Sequence, residues 1–350
     1  MTEIKSRRSV HCITIVIKKS RRIPCTEPGR LDLPCPPSMR QFDADALQIR
    51  KIWRDPMSAI VRRDVRFALP PDRISDWHVN GVANTHYFNA LSLMFPAGER
   101  FFIDSVRHYR DRIQDPELQK QVQGFIGQEA MHSREHVEFN DVAEAAGYPA
   151  HRLDRGFWKF TGLMQKVLPP PLRLAQTIAF EHYTAIMTDM LLSNFEHFHD
   201  SVDAYANMWL WHSMEETEHK AVAFDVWNAV MKPGPMRYLM RVGSMVLTSA
   251  VFWGTNFYFH MVLMNAHRRM HGRVPGKWAF MRFFLKGFVK LVPRTLAYFK
   301  PGFHPWDHDN RKHFATLGRL LANIDASNAR YAANAAPRRI PLHPMTAQVN

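Results

Sequence analysis

Trp211-His212-Ser213-Met214-Glu215-Glu216-Thr217-Glu218-His219 contains a Glu-x-x-His pair at Glu216 and His219, and Gln128-Glu129-Ala130-Met131-His132 contains the same pair at Glu129 and His132. Residues three apart share one face of a helix, so each carboxylate and imidazole project together and can grip one metal ion. One such pair is common on a solvated helix face. Here there are two, and each follows an isolated glutamate in an apolar stretch: Glu99 in Phe95-Pro96-Ala97-Gly98-Glu99-Arg100-Phe101-Phe102, and Glu181 in Ile178-Ala179-Phe180-Glu181-His182-Tyr183.

Apolar residues at three- and four-residue spacing predict four long helices, over 86–114, 116–146, 171–199 and 202–231. The second opens after Asp115-Pro116 and stops at Gly147; the third follows Pro169-Pro170-Pro171; the fourth ends before Pro233-Gly234-Pro235. Helices one and two are tightly joined, as are three and four, while 147–170 is long enough to cross the bundle. Two hairpins with one long crossover predict an all-α, ferritin-like four-helix bundle. Glu99 lies about 15 residues before the first turn and Glu129 about 13 after it; Glu181 lies about 18 before the second turn and Glu216 about 15 after it. All four carboxylates therefore fall at one level. Four unpaired charges in a dry core would cost several kcal/mol each, a penalty that dications remove. The expected centre is two metal ions, iron first with manganese or zinc as alternatives, held by Glu99, Glu129, His132, Glu181, Glu216 and His219.

The neighbours divide into two groups. His212 shares the face of Glu216 and His219, as a seventh ligand or as a hydrogen-bonding neighbour. His136 is expected beside the ligands, with Glu135, Glu215 and Glu218 pointing away from their line. His182, Tyr183, Trp209 and Trp211 are expected to pack. The blocks Phe95-Pro96-x-Gly98-Glu99-Arg100-Phe101-Phe102, Gln128-Glu129-Ala130-x-His132-x-x-Glu135-His136 and Trp211-His212-x-x-Glu215-Glu216-x-Glu218-His219-Lys220-Ala221-Val222-Ala223-Phe224-Asp225 resemble a bacterial family of predicted metal-dependent hydrolases, over roughly residues 60–300. The resemblance implies the fold and metal binding more than a reaction. More distantly, His212-x-x-x-Glu216-x-x-His219 is similar to the extra-histidine motif of di-iron enzymes of the p-aminobenzoate N-oxygenase type.

The remaining chain is read more coarsely. Residues 1–40, rich in Pro and Arg and holding Cys12, Cys25 and Cys35, are expected to be a disordered leader with no disulfide framework, thiolate site or secretory signal, which points to the cytoplasm. Mitochondrial-type targeting is a minor alternative. Residues 41–85 are expected to be an irregular lead-in with one short strand at Val61–Leu69, and 86–231 the bundle. Residues 232–305 form a basic apolar helical region, and 306–350 a short helix and flexible tail. The net charge is +14, and between Lys232 and Lys300 there are twelve Lys or Arg and no Asp or Glu. Val242–Ala266 is long enough to span a bilayer but diluted by polar residues. Phe280–Leu291 alternates cations with apolar residues, as an interfacial helix does on anionic lipid. Three alternatives remain: further core helices, attachment to the inner face of the cytoplasmic membrane, or a span. No nucleic-acid motif accompanies the charge.

These features point first to a non-haem di-iron oxygenase or oxidase, with dioxygen, an electron donor and an apolar small molecule as partners. The alternative is a metal-dependent hydrolase, since His132-x-x-Glu135-His136 matches a zinc pattern and two metals can activate water. Metal storage or a structural bundle ranks third.

Overall fold

The computed structural model describes residues 60–272 and 277–332. The expected leader, the first part of the lead-in and the tail after 332 lie outside the described residues. The described chain is all-α: α1 Val82–Ser92, α2 Phe95–Arg107, α3 Pro116–Ala145, α4 Ala150–Val167, α5 Pro170–Leu192, α6 Asp203–His219, α7 Val222–Val230, α8 Pro235–His271, α9 Lys277–Ala297 and α10 Leu317–Tyr331.

Local chemistry explains several of these boundaries. Asp115 caps α3 by accepting from the Glu117 amide, and Pro116 occupies a first-turn position where no amide proton is needed. Gly147, at φ 90°, supplies the left-handed residue that ends that hairpin arm. The first predicted helix is two helices. Pro96 lacks an amide proton and sits in the first turn of α2, so the chain breaks at Leu93-Met94 and restarts. The fourth is likewise divided, α6 ending at His219 and α7 beginning at Val222. The crossover is itself helical, as α4.

The expected strand at Val61–Leu69 is not formed. Its backbone is satisfied by side chains rather than by a neighbouring strand. Val61 O accepts from Gln128 (3.0 Å), Val65 O from Arg134 (2.6 Å) and Arg66 O from Asn328 (2.6 Å), while the Ala68 amide donates to Asn328 (2.9 Å). An extended run held this way needs no ladder. It lies close along α3, and a Cβ at Gly124 would come within 2.7 Å of Ile60 O.

Helix α2 packs on α3, α5 on α6, α2 on α5 and α3 on α6. α8 lies along α1 and α5, and α10 along α6. Two apolar clusters fill the interior. One gathers Phe139, Tyr205, Trp209 and Met214 from the C-terminal half of α3 and from α6. The other gathers Phe102, Phe125, Ile178 and Trp227 from α2, the N-terminal half of α3, α5 and α7. The polar residues of 128–136 and 212–219 fall where the two clusters meet. No helix among the described residues is long and apolar enough to cross a membrane, so of the three alternatives for this region the span over Val242–Ala266 is not met. Its polar residues pack inward: Ser244, Thr248, Asn256 and His260 are buried.

Candidate metal centre

Four helices each contribute to one buried polar layer: Glu99 from α2, Glu129 and His132 from α3, Glu181 from α5, and His212, Glu216 and His219 from α6. All seven side chains are buried, and the structure brings all seven together. Donor atoms of Glu99, His132 and His212 lie within 4.8 Å of one another, as do those of Glu129, Glu181 and His219, and those of Glu129, His132 and Glu216. Glu216 stands between the two groups, 3.6 Å from His132 Nδ1, 3.1 Å from His212 Nε2 and 3.5 Å from His219 Nε2.

The hydrogen-bond network fixes which nitrogen of each imidazole is free. His132 Nε2–H donates to Glu215 (3.1 Å), leaving Nδ1 without a hydrogen bond. His219 Nδ1–H donates to Gln128 Oε1 (2.8 Å), leaving Nε2 without one. For His212 the polarity follows from a relay. Asn140 donates its amide to Ser92 O, so its oxygen accepts the Ser92 hydroxyl proton (2.9 Å). Ser92 Oγ must then accept from His136 Nδ1–H (2.8 Å), and His136 Nε2 accepts from His212 Nδ1–H (2.8 Å). His212 Nε2 is thus a lone pair, and it too lacks a hydrogen bond. Both oxygens of Glu99, Glu129 and Glu181, and one of Glu216, are buried with no hydrogen-bond partner.

Such a concentration of unsatisfied donors and acceptors is foreign to an ordinary core. Burial and the neighbouring carboxylates push Glu99 and Glu181 well above the usual carboxylate range. Burial also raises Glu129, and the His219 imidazole 3.2 Å away opposes it without cancelling it. Burial acts on Glu216 in the same direction, but His219, His132 and His212 outweigh it and hold that carboxyl well below its ordinary value. Burial lowers His132, yet the neighbouring Glu215 and Glu216 carboxylates carry it up to about 9; burial and the His132 charge leave His212 at about 4. Lone pairs and carboxylate oxygens converging in a dry layer form a donor set suited to hard or intermediate dications.

A second layer orients the first. Arg63 donates to Glu215 (3.0 Å) and, through both terminal nitrogens, to Glu218 (2.8 and 2.7 Å). Glu218 also accepts from Gln128 (2.7 Å). One guanidinium therefore backs both imidazole supports, Glu215 behind His132 and Gln128 behind His219, the arrangement by which outer groups set a ligand's tautomer. Glu215 and Glu218 point away from the ligand line, as expected, and make their contacts behind the ligands rather than at the surface. Arg63 and Gln128 carry no role in the sequence reading. The only hint is that Gln128 directly precedes Glu129. His136 and Glu135 do not join His132 as a zinc triplet, because His136 is engaged with Ser92 and His212 while Glu135 turns to Arg134 (2.7 Å) and Arg66 (3.4 Å).

Aromatic rings close the layer. Phe95 lies 4.6 Å from both the His136 and His212 rings, Phe125 is edge-on to His219 at 5.0 Å, and Trp211 is edge-on to His132 at 4.9 Å. Two apolar cavities, of about 130 and 290 Å³, approach the centre, and Phe95, Thr184 and Phe252 line both. His212 lines the first.

A family described as predicted metal-dependent hydrolase matches residues 61–309. No curated protein and no solved structure matches the chain.

Proposed function

The chain belongs to the family of predicted metal-dependent hydrolases, and from that premise we propose that it is a hydrolase whose reactive centre is a pair of metal ions within a ferritin-like bundle. The observation that supports this most is the convergence of three imidazole nitrogens without hydrogen bonds on four carboxylates, three of which lack hydrogen bonds at both oxygens and the fourth at one. Glu99, His132 and His212 would hold one ion, Glu181 and His219 the other, with Glu129 and Glu216 between them. The pair would supply Lewis acidity toward water and toward a carbonyl or phosphoryl oxygen. The chain's own contribution is to fix the imidazoles through Glu215, Gln128 and the His136–Ser92–Asn140 relay. Phe95, Phe125 and Trp211 keep bulk water out, and the apolar cavities admit a hydrophobic small molecule.

Oxygen activation at a di-iron centre is the second reading. A donor set richer in carboxylate than in imidazole, without thiolate, favours it, since that set suits iron or manganese as well as zinc. Elemental analysis of the purified protein, followed by paired assays, separates the two. A zinc- or manganese-loaded protein that cleaves generic esters or phosphoesters supports hydrolysis. Oxygen consumption by anaerobically iron-loaded protein, without such cleavage, supports oxygen activation and overturns the hydrolase reading.

A further inference from the structure

Apart from Val79, Phe160, Leu163 and Val167, the exposed large hydrophobic side chains of the described residues all lie on α8 or α9. On α9 they recur at three- and four-residue spacing: Trp278, Met281, Leu285, Val289, Val292 and Leu296, with Trp278 at 87% exposure and Val289 at 61%. That spacing is one face of a helix. The opposite face is also apolar and turns inward, where Phe280 and Leu291 are buried and Phe284 packs on Trp253 and Phe257 of α8. Between the two faces Arg282, Lys286 and Lys290 follow one another at four-residue intervals and are exposed. α8 carries its own outward stripe, including Leu239, Val246, Leu247, Tyr258 and Met261. The two helices touch through Trp253, Phe284 and Phe288.

The cavity that reaches His212 runs beneath this face. Its inner end is lined by Phe95, His212 and Ser213, and its outer end by Lys286, Gly287 and Lys290. An apolar passage of about 130 Å³, with cations at one end and the proposed reactive centre at the other, suits a segment of hydrocarbon chain joined to an anionic head. We infer that the outer faces of α8 and α9 rest on an anionic lipid surface, and that this cavity takes up part of the acyl chain of an amphiphile from it. The docking face stands independently of the metal reading; only the identity of the cavity's inner end rests on it. A second copy of the chain fits this face less well. Lys232–Lys300 contains no acidic residue, so a matching face would set cation against cation, whereas anionic headgroups meet Arg282, Lys286 and Lys290 with opposite charge. Because no described helix can cross a bilayer, the contact is with its surface.

Flotation of the purified full chain, stripped of metal, tests the face with phosphatidylcholine vesicles and with vesicles also containing phosphatidylglycerol. The protein should float with the anionic vesicles at low salt and detach as salt rises. Leu285→Glu with Val289→Glu should abolish flotation, while the circular dichroism and melting curve stay unchanged because both side chains are exposed. Oleate binding to the same metal-stripped protein tests the cavity. At Gly287, which lines the passage, an added Cβ meets only Met190 Cε, at 3.7 Å, so the Gly287→Phe side chain starts clear of backbone and would occupy the passage. It should weaken oleate binding about tenfold or more, the loss of roughly two buried methylenes. Vesicle indifference, with or without concentration-dependent dimerisation, would overturn the docking face. Oleate binding that is absent, or equal in Gly287→Phe, would overturn the cavity. Intact vesicle and oleate binding in a protein inactive with every metal supports this inference and counts against the proposed function alone.

Discussion

At the centre of the bundle four carboxylates and three imidazoles are sealed among apolar side chains, whereas on α8 and α9 leucine, valine, methionine and tryptophan side chains stand in solvent. Each region reverses the usual placement of polar and apolar groups, and each reversal costs free energy in the isolated chain. Buried polar atoms without partners cost about 1–3 kcal/mol each, more when charged. Exposed apolar area forgoes roughly 25 cal/mol per Å². Marginally stable proteins keep such features where something outside the chain offsets them. On the readings proposed above, a dication would offset the cost at the centre and a lipid surface the cost on the outer face.

The largest expected effect is at the centre. Glu129→Ala or Glu216→Ala should leave only a small fraction of the bound metal in elemental analysis, while Glu135→Ala, whose carboxylate turns to Arg134 and Arg66, should keep it. Equal metal in all three variants would erase the distinction between ligand and neighbour. Next in size is a contrast along one helix. Phe280→Ala, on the buried face of α9, should cost about 3–5 kcal/mol in denaturant unfolding. Leu285→Ala, on the outer face, should change stability by no more than about 0.5 kcal/mol. Similar losses at both positions would mean that the outer stripe is covered in the free protein.

The supports of the imidazoles should matter less than the ligands. Gln128→Ala or Glu215→Ala should weaken metal affinity about 10–100-fold in competition with a chelator, without abolishing it. Unchanged affinity in both would show that the Arg63-backed layer does not orient the ligands.

The smallest effect is pH dependence away from the centre. Burial lowers His260 from 6.5 to about 4, against the opposing pull of its bond to Ala83 O (3.0 Å), and lowers His78 to about 3. Well above pH 6.5 both are neutral in either state and their contribution to stability is full. As pH falls toward 4 the unfolded chain takes up protons that the folded chain refuses, so stability declines. The melting temperature of metal-stripped protein should therefore drop across that window. His260→Gln should flatten the drop by on the order of 1–2 kcal/mol; an unaltered slope would show that His260 is not its source.

The all-α class and the residues of the centre were legible in the sequence because both depend on local periodicity. Glu-x-x-His is a statement about one helix face, and two matching hairpins set four carboxylates at one level whatever the packing details. Pro96 shows the limit of that reading. It was visible inside Phe95–Phe102, yet whether a proline kinks a helix or starts a new one depends on what the preceding turn packs against. The run 61–69 shows another limit. A short strand was expected there, but a strand needs a neighbour, and only the fold shows that Gln128, Arg134 and Asn328 take that place.

By itself the sequence determined the helical periods, the paired motifs, the acid-free stretch at Lys232–Lys300 and membership in a metal-dependent family. Tertiary structure alone decided which imidazole nitrogen of each histidine is free. That choice rests on Glu215, Gln128 and the Asn140–Ser92–His136 relay, whose members come from helices far apart in the chain. It also decided that α9 has two apolar faces rather than one, because periodicity marks a residue as apolar and only packing shows which side of the helix is covered.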